Sequence, residues 1–169
     1  MKNILTVIFF SLMFFTSNAQ DNNSSSPLDH YLGEWETYSK GTVDKPSKLI
    51  YRWKAEKFTA GYGIQFTFFR VRNDGSENPA VTMNWVYHPE SGMVYNCVTT
   101  ANGSVTISEG PIESNGSVKL RSRDIGAADD EYGIYTWTFK SNNQIVTQSI
   151  SYKDEQQVGS YETESKKLK

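Results

Sequence analysis

The chain has 169 residues, 17 basic and 19 acidic, with 14% aromatic side chains and a single cysteine. A formal net charge of −2 gives no positive footprint for nucleic acid or an anionic membrane surface, and one cysteine excludes an intramolecular disulfide. Length alone limits the chain to one domain or a tight pair.

The first element in chain order is a leader. Lys2 opens a short basic region, the apolar run from Ile4 to Phe15 follows, and Ser17-Asn18-Ala19 puts small residues at the −3 and −1 positions. That order predicts a secretory signal peptide over 1–19. The run is too short for a membrane span, which needs about 20 residues. No cysteine sits at the cleavage point, so the expected product is exported and soluble, periplasmic or secreted, and not a lipoprotein. Removing Lys2 with the leader leaves 150 residues from Gln20, with 16 basic and 19 acidic side chains and a net charge of −3. A chain of that size buries roughly 68–70% of its unfolded surface, enough for a real core.

Residues 20–26 (QDNNSSS) form a polar spacer with nothing to bury, expected to be disordered. A single domain over 27–169 is expected to follow it. Ser26 before Pro27 reads as an N-cap with proline at the first helical position, predicting one helical turn over 27–31. From Gly33 onward no twelve-residue stretch keeps a helical period. Runs rich in Val, Ile, Thr, Tyr, Phe and Trp recur instead, each ended by turn residues such as Asp74-Gly75, Asn102-Gly103 and Asn115-Gly116. Ten strands are predicted: 34–40, 48–57, 63–72, 80–88, 93–100, 103–113, 117–123, 132–140, 144–152 and 156–163.

The longest gap, 124–131, is too short for a crossover helix, so the strands are expected to be antiparallel with sequence neighbours paired. Ten such strands leave two open edges unless the last pairs with the first. The predicted fold class is therefore all-β: one up-and-down antiparallel barrel of about ten strands, preceded by the short helical turn.

Alternation assigns an inner face. In 48–57 it carries Leu49, Tyr51, Trp53 and Ala55, against Lys48, Ile50, Arg52, Lys54 and Glu56 outside. The same parity puts Ile64, Phe66 and Phe68 inside, then Met83, Trp85 and Tyr87, then Met93, Tyr95 and Cys97, and later Tyr135, Trp137 and Phe139. Cys97 is thus expected to be a buried, inert thiol. Apolar residues on the opposite parity, Phe69, Val71 and Val86, suggest an outer wall covered by the N-terminal turn or by another chain.

Two stretches carry a family resemblance. Gly33-Glu34-Trp35 at the entry to the first strand resembles the lipocalin Gly-x-Trp signature. Trp85 to Tyr95 (WVYHPESGMVY) resembles the middle hairpin of exported bacterial lipocalin-like (calycin-type) barrel domains of an uncharacterised family. The likeness spans nearly the whole mature chain in strand count and spacing. It implies that Gly33 lets the chain turn into the first strand and that Trp35 plugs the closed end. The lipocalin basic residue that stacks over this Trp near the last strand has only Lys166 as a weak counterpart.

No catalytic or metal constellation emerges. His30 and His88 with one cysteine make no zinc spacing. The run Asp124, Asp129, Asp130, Glu131 lacks the alternation of a calcium loop and reads as a solvated turn. No histidine follows residue 88 to serve as the proximal haem ligand that related small barrels place near the C-terminus. No Gly-x-Ser-x-Gly elbow occurs either. No cofactor is expected. The remaining signal is the inward aromatic set with one cation. Tyr51, Trp53, Phe66, Phe68, Arg70, Trp85, Tyr87, Tyr95 and Trp137 are the candidate ligand-binding residues, with Arg70 facing in to meet an anionic head group. The sequence points to a non-enzymatic barrel that binds a small, mostly apolar or amphipathic molecule in its interior. The alternatives are an enzyme of isomerase or hydrolase type using the cavity, and an interaction module using the outer wall.

Overall fold

The computed structural model describes residues 26–41, 46–58 and 62–168. The predicted signal peptide and most of the spacer lie outside them.

Ser26 caps the first turn as expected: its Oγ accepts from the Leu28 N–H at 3.3 Å, and Pro27 fills the first position of a 3-10 turn, Pro27–Tyr31. Ten strands follow: β1 Gly33–Ser39, β2 Leu49–Phe58, β3 Gly63–Val71, β4 Glu77–His88, β5 Met93–Thr100, β6 Val105–Pro111, β7 Val118–Asp124, β8 Tyr132–Ser141, β9 Gln144–Lys153 and β10 Gln156–Lys167. Each pairs antiparallel with its sequence neighbours. β10 returns to β1 over Trp35↔Lys167 to Ser39↔Thr163, closing the barrel and leaving no edge. The fold class expected from the sequence is therefore the observed one. The last strand runs four residues beyond the predicted end, and that extension supplies the closure.

One end of the barrel is sealed from inside. Leu28 and Tyr31 are fully buried, so the N-terminal turn does not cover the outer wall as expected. It enters the barrel end instead. The Tyr31 hydroxyl donates to the Gly116 carbonyl at 2.6 Å, and the Trp35 indole N–H donates to the Tyr31 carbonyl at 2.8 Å. Gly116, in the β6–β7 turn, has φ +85, and a Cβ there would sit 2.9 Å from Phe139 and 3.1 Å from His30. Glycine is what lets this turn close against the plug. Gly33 has φ +112 where the chain swings into β1, and Trp35 stacks on Trp53 at 5.0 Å with planes 3° apart. The cation over the Trp35 ring is Lys167, at 5.3 Å, and not Lys166, which lies over Tyr38 on the outside.

The core continues upward as an aromatic cluster. Trp53, Phe66, Trp85, Trp137 and Tyr31 lie with ring centroids 5.0–6.0 Å apart, mostly tilted or edge-on, the arrangement favoured by ring quadrupoles.

Candidate functional site

The interior has two chemically distinct sides. From β2 to β4 the buried inward residues are Trp53, Ala55, Ile64, Phe66, Phe68, Met83 and Trp85. Across the barrel, on β5–β7, β9, β10 and β1, many are small and polar: Asn96, Ser108, Ser122, Thr147, Ser149, Ser165 and Thr37. Several of these groups satisfy one another. Asn96 Nδ2 donates to Ser108 Oγ at 2.8 Å, Thr37 and Ser165 share a 2.7 Å hydroxyl contact, and the Trp53 indole donates to Thr37 at 2.9 Å. Two do not. The indole N–H of Trp85 and Oδ1 of Asn96, on residues paired across β4 and β5, are buried without a hydrogen-bond partner in the protein. A donor and an acceptor left so each cost about 1–3 kcal/mol.

At the open end the hydroxyl side carries tyrosines. Tyr161 on β10 lies in register with Ser149 on β9 and then Tyr135 on β8. Its hydroxyl lies within electrostatic reach of both and of Tyr51 on β2. Half of its surface (53%) meets solvent. Burial, helped by Tyr135, pushes its pKa up to about 12. Tyr51 also accepts from the Arg70 guanidinium at 3.2 Å, and that contact raises the Arg70 pKa. The mouth thus gathers three phenols and one cation from β2, β3, β8 and β10.

The predicted site residues separate into four groups. Trp53, Phe66, Trp85 and Trp137 point inward and are packed, at most 8% exposed, so they form the floor beneath the mouth. Tyr51, Phe68 and Arg70 reach the open end, with Arg70 exposed at the rim. Tyr87 also points inward but sits opposite Val94 near the sealed end. Tyr95 is a correction. Val94 and Asn96 are the inward residues of β5, while Tyr95 is 45% exposed and Cys97 is exposed beside it. The expected parity for Met93, Tyr95 and Cys97 is shifted by one residue, which turns every side chain of the strand over. The reason is the turn. Four loop residues between His88 and Met93 set odd positions of β4 opposite even positions of β5, so inward Trp85 and Tyr87 require inward Asn96 and Val94. The sequence assigns Tyr135 to the inner face but not to the site, and leaves Ser149 and Tyr161 unassigned, because the hydroxyl-rich runs of β9 and β10 resemble a wet face. Among the described residues no group of three or more His, Cys, Asp or Glu comes together as a metal site, and none of the buried side chains is a carboxylate, an amine or an imidazole.

No family model and no curated protein sequence matches the chain. Solved structures do match it in shape. The S-type phycobiliprotein lyase CPES from Guillardia theta superposes with a TM-score of 0.51 over 84% of this chain and 90% of the lyase, at 10% identity. A redesigned β-barrel, mFAP1, bound to DFHBI, superposes with a TM-score of 0.43 over 86% of this chain and the whole of that one, also at 10% identity. At 10% identity the likeness to the lyase shows the barrel fold and nothing finer.

Proposed function

We propose that the protein is an exported, lipocalin-like binding barrel whose open half takes a small amphipathic anion. The observation that supports this most is the mouth, where Tyr135 and Tyr161 flank Ser149 in the ladder and Tyr51 lies within electrostatic reach, above a packed aromatic floor. A carboxylate there meets phenol donors on one side, while its apolar part lies against Phe68, Val81 and Val98 on the other. Because Trp53, Phe66, Trp85 and Trp137 fill the lower half, the ligand is compact, and a long acyl tail has no room. Arg70 acts at the rim. Its exposure weakens its pull, since solvent-facing ion pairs contribute about 0.2–1 kcal/mol, which is at most about fivefold in affinity.

The test is tryptophan fluorescence titration with a panel of short fatty acids, aromatic acids, retinoids and sterols, each anion paired with its neutral alcohol. Short anions are expected to change the emission saturably. Tyr161→Phe should weaken them about tenfold, as loss of a hydrogen bond to a charged group does, and Arg70→Met by two- to fivefold. Silence from the whole panel at high micromolar concentration would refute interior binding and shift the reading to the outer wall.

A further inference from the structure

The outer face over β4–β7 carries a groove of about 710 Å³, a volume in the usual range for small-molecule sites. Its centre is apolar and wet: Val86, Tyr95 and Ile107 are 43–46% exposed, and ladder pairing places them side by side, Val86 against Tyr95 and Cys97 against Ile107. Two arginines edge it from β7. Arg123 is neutralised by Asp129 at 3.0 Å. Arg121 is not. It stands across the ladder from Glu109, but its guanidinium carbon sits over the Tyr132 ring instead, 4.1 Å from the centroid, and it makes no ion pair among the described residues. Tyr132 is in turn stacked on Tyr152 at 4.9 Å and 12°. The Tyr132 ring gives the guanidinium a cation–π support, and its N–H groups have no hydrogen-bond or ion-pair partner among the described residues.

We propose that this groove is a second ligand site, taking a planar aromatic carboxylate whose ring covers Tyr95 and Ile107 and whose carboxylate is held by Arg121. The charge on Arg121 selects the anion, because a planar guanidinium matches a carboxylate with two parallel hydrogen bonds. The exposed aromatic and aliphatic side chains select the ring. The site is separate from the barrel mouth and shares no residue with it.

Cys97 lines the groove and is the only thiol in the chain, so it reports occupancy directly. The rate of alkylation by iodoacetamide, a neutral reagent from which the thiolate displaces iodide, is followed on the folded protein with increasing naphthoate. Naphthoate is expected to slow alkylation saturably, and naphthalenemethanol far less. Arg121→Met should weaken the protection about tenfold, Arg121→Lys should fall between, and Arg70→Met at the mouth should leave it unchanged. Circular dichroism confirms that the surface variants fold. Three outcomes would overturn the proposal: no protection at millimolar naphthoate, equal protection by the alcohol, or equal protection in Arg121→Met. Sedimentation showing a dimer that Tyr95→Asp dissociates would assign the wall to a second copy and also overturn it.

Discussion

Trp35 shows how one side chain ties several elements together. It is fully buried, stacked on Trp53, bonded to the Tyr31 carbonyl and overlaid by Lys167. Each contact belongs to a different segment: β2, the N-terminal turn and β10. Trp35→Ala removes the largest filler of the sealed end and orphans a buried carbonyl. A loss of about 3–5 kcal/mol is expected in a denaturant melt, as for other large aromatic truncations. A loss under about 1 kcal/mol would show that the end collapses without it. The role of this residue was legible from three letters, Gly33-Glu34-Trp35, because position at the first strand and positive φ at the glycine are both local properties. Its cation was not. Lys166 and Lys167 are adjacent and chemically identical, and only pairing in the closed barrel decides which one faces inward.

At the scale of the strand, β5 separates what periodicity can and cannot decide. Both parities of Met93 to Val98 carry apolar residues, and polar Asn96 makes the true inner face look like the outer one. The hairpin decides, as tight turns fix register. Two consequences differ sharply between the two registers. Cys97 should be alkylated in the folded protein at close to its unfolded rate, and Cys97→Ser should change stability by less than about 0.5 kcal/mol. Val94→Ala, in a fully buried site, should cost about 2 kcal/mol, two methyl equivalents plus a small cavity. A protected thiol with an indifferent Val94 would restore the other register. β2 is less ambiguous: Trp53 lies between Arg52 and Lys54, and the charged face of Arg52, Lys54 and Glu56 makes the inner one plain. On β3 and β4 the large rings Phe66 and Trp85 mark the inner face despite Phe69, Val71 and Val86 outside.

Across the whole molecule, the sheet's closure turns a one-dimensional pattern into a two-sided chamber. The aromatic side was legible because large rings at alternate positions of a strand need a core to bury them. The hydroxyl side was not, because Ser108, Ser122, Thr147, Ser149 and Ser165 read as surface until closure buries them. The same closure makes the sealed end a lock whose key is Tyr31. Its phenol is fully buried and bonded to Gly116, and burial holds its pKa well above the ordinary 10.0. A raised pKa on an acid means that the fold prefers the neutral form. Its contribution to stability is therefore complete below pH 10 and is lost progressively as pH rises above it. Tyr161 is shifted in the same sense, to about 12, but it lies at the open mouth and can ionise without unfolding. An alkaline titration followed by phenolate absorbance and circular dichroism should thus show the Tyr31 signal, taken as the difference from Tyr31→Phe, appearing only together with cooperative loss of the β signal. Tyr31→Phe itself should lose about 1–3 kcal/mol at neutral pH by orphaning the Gly116 carbonyl, while its stability falls less steeply above pH 10. If the Tyr31 phenolate forms near pH 10 with the sheet intact, solvent reaches the sealed end in the native state and the lock does not exist.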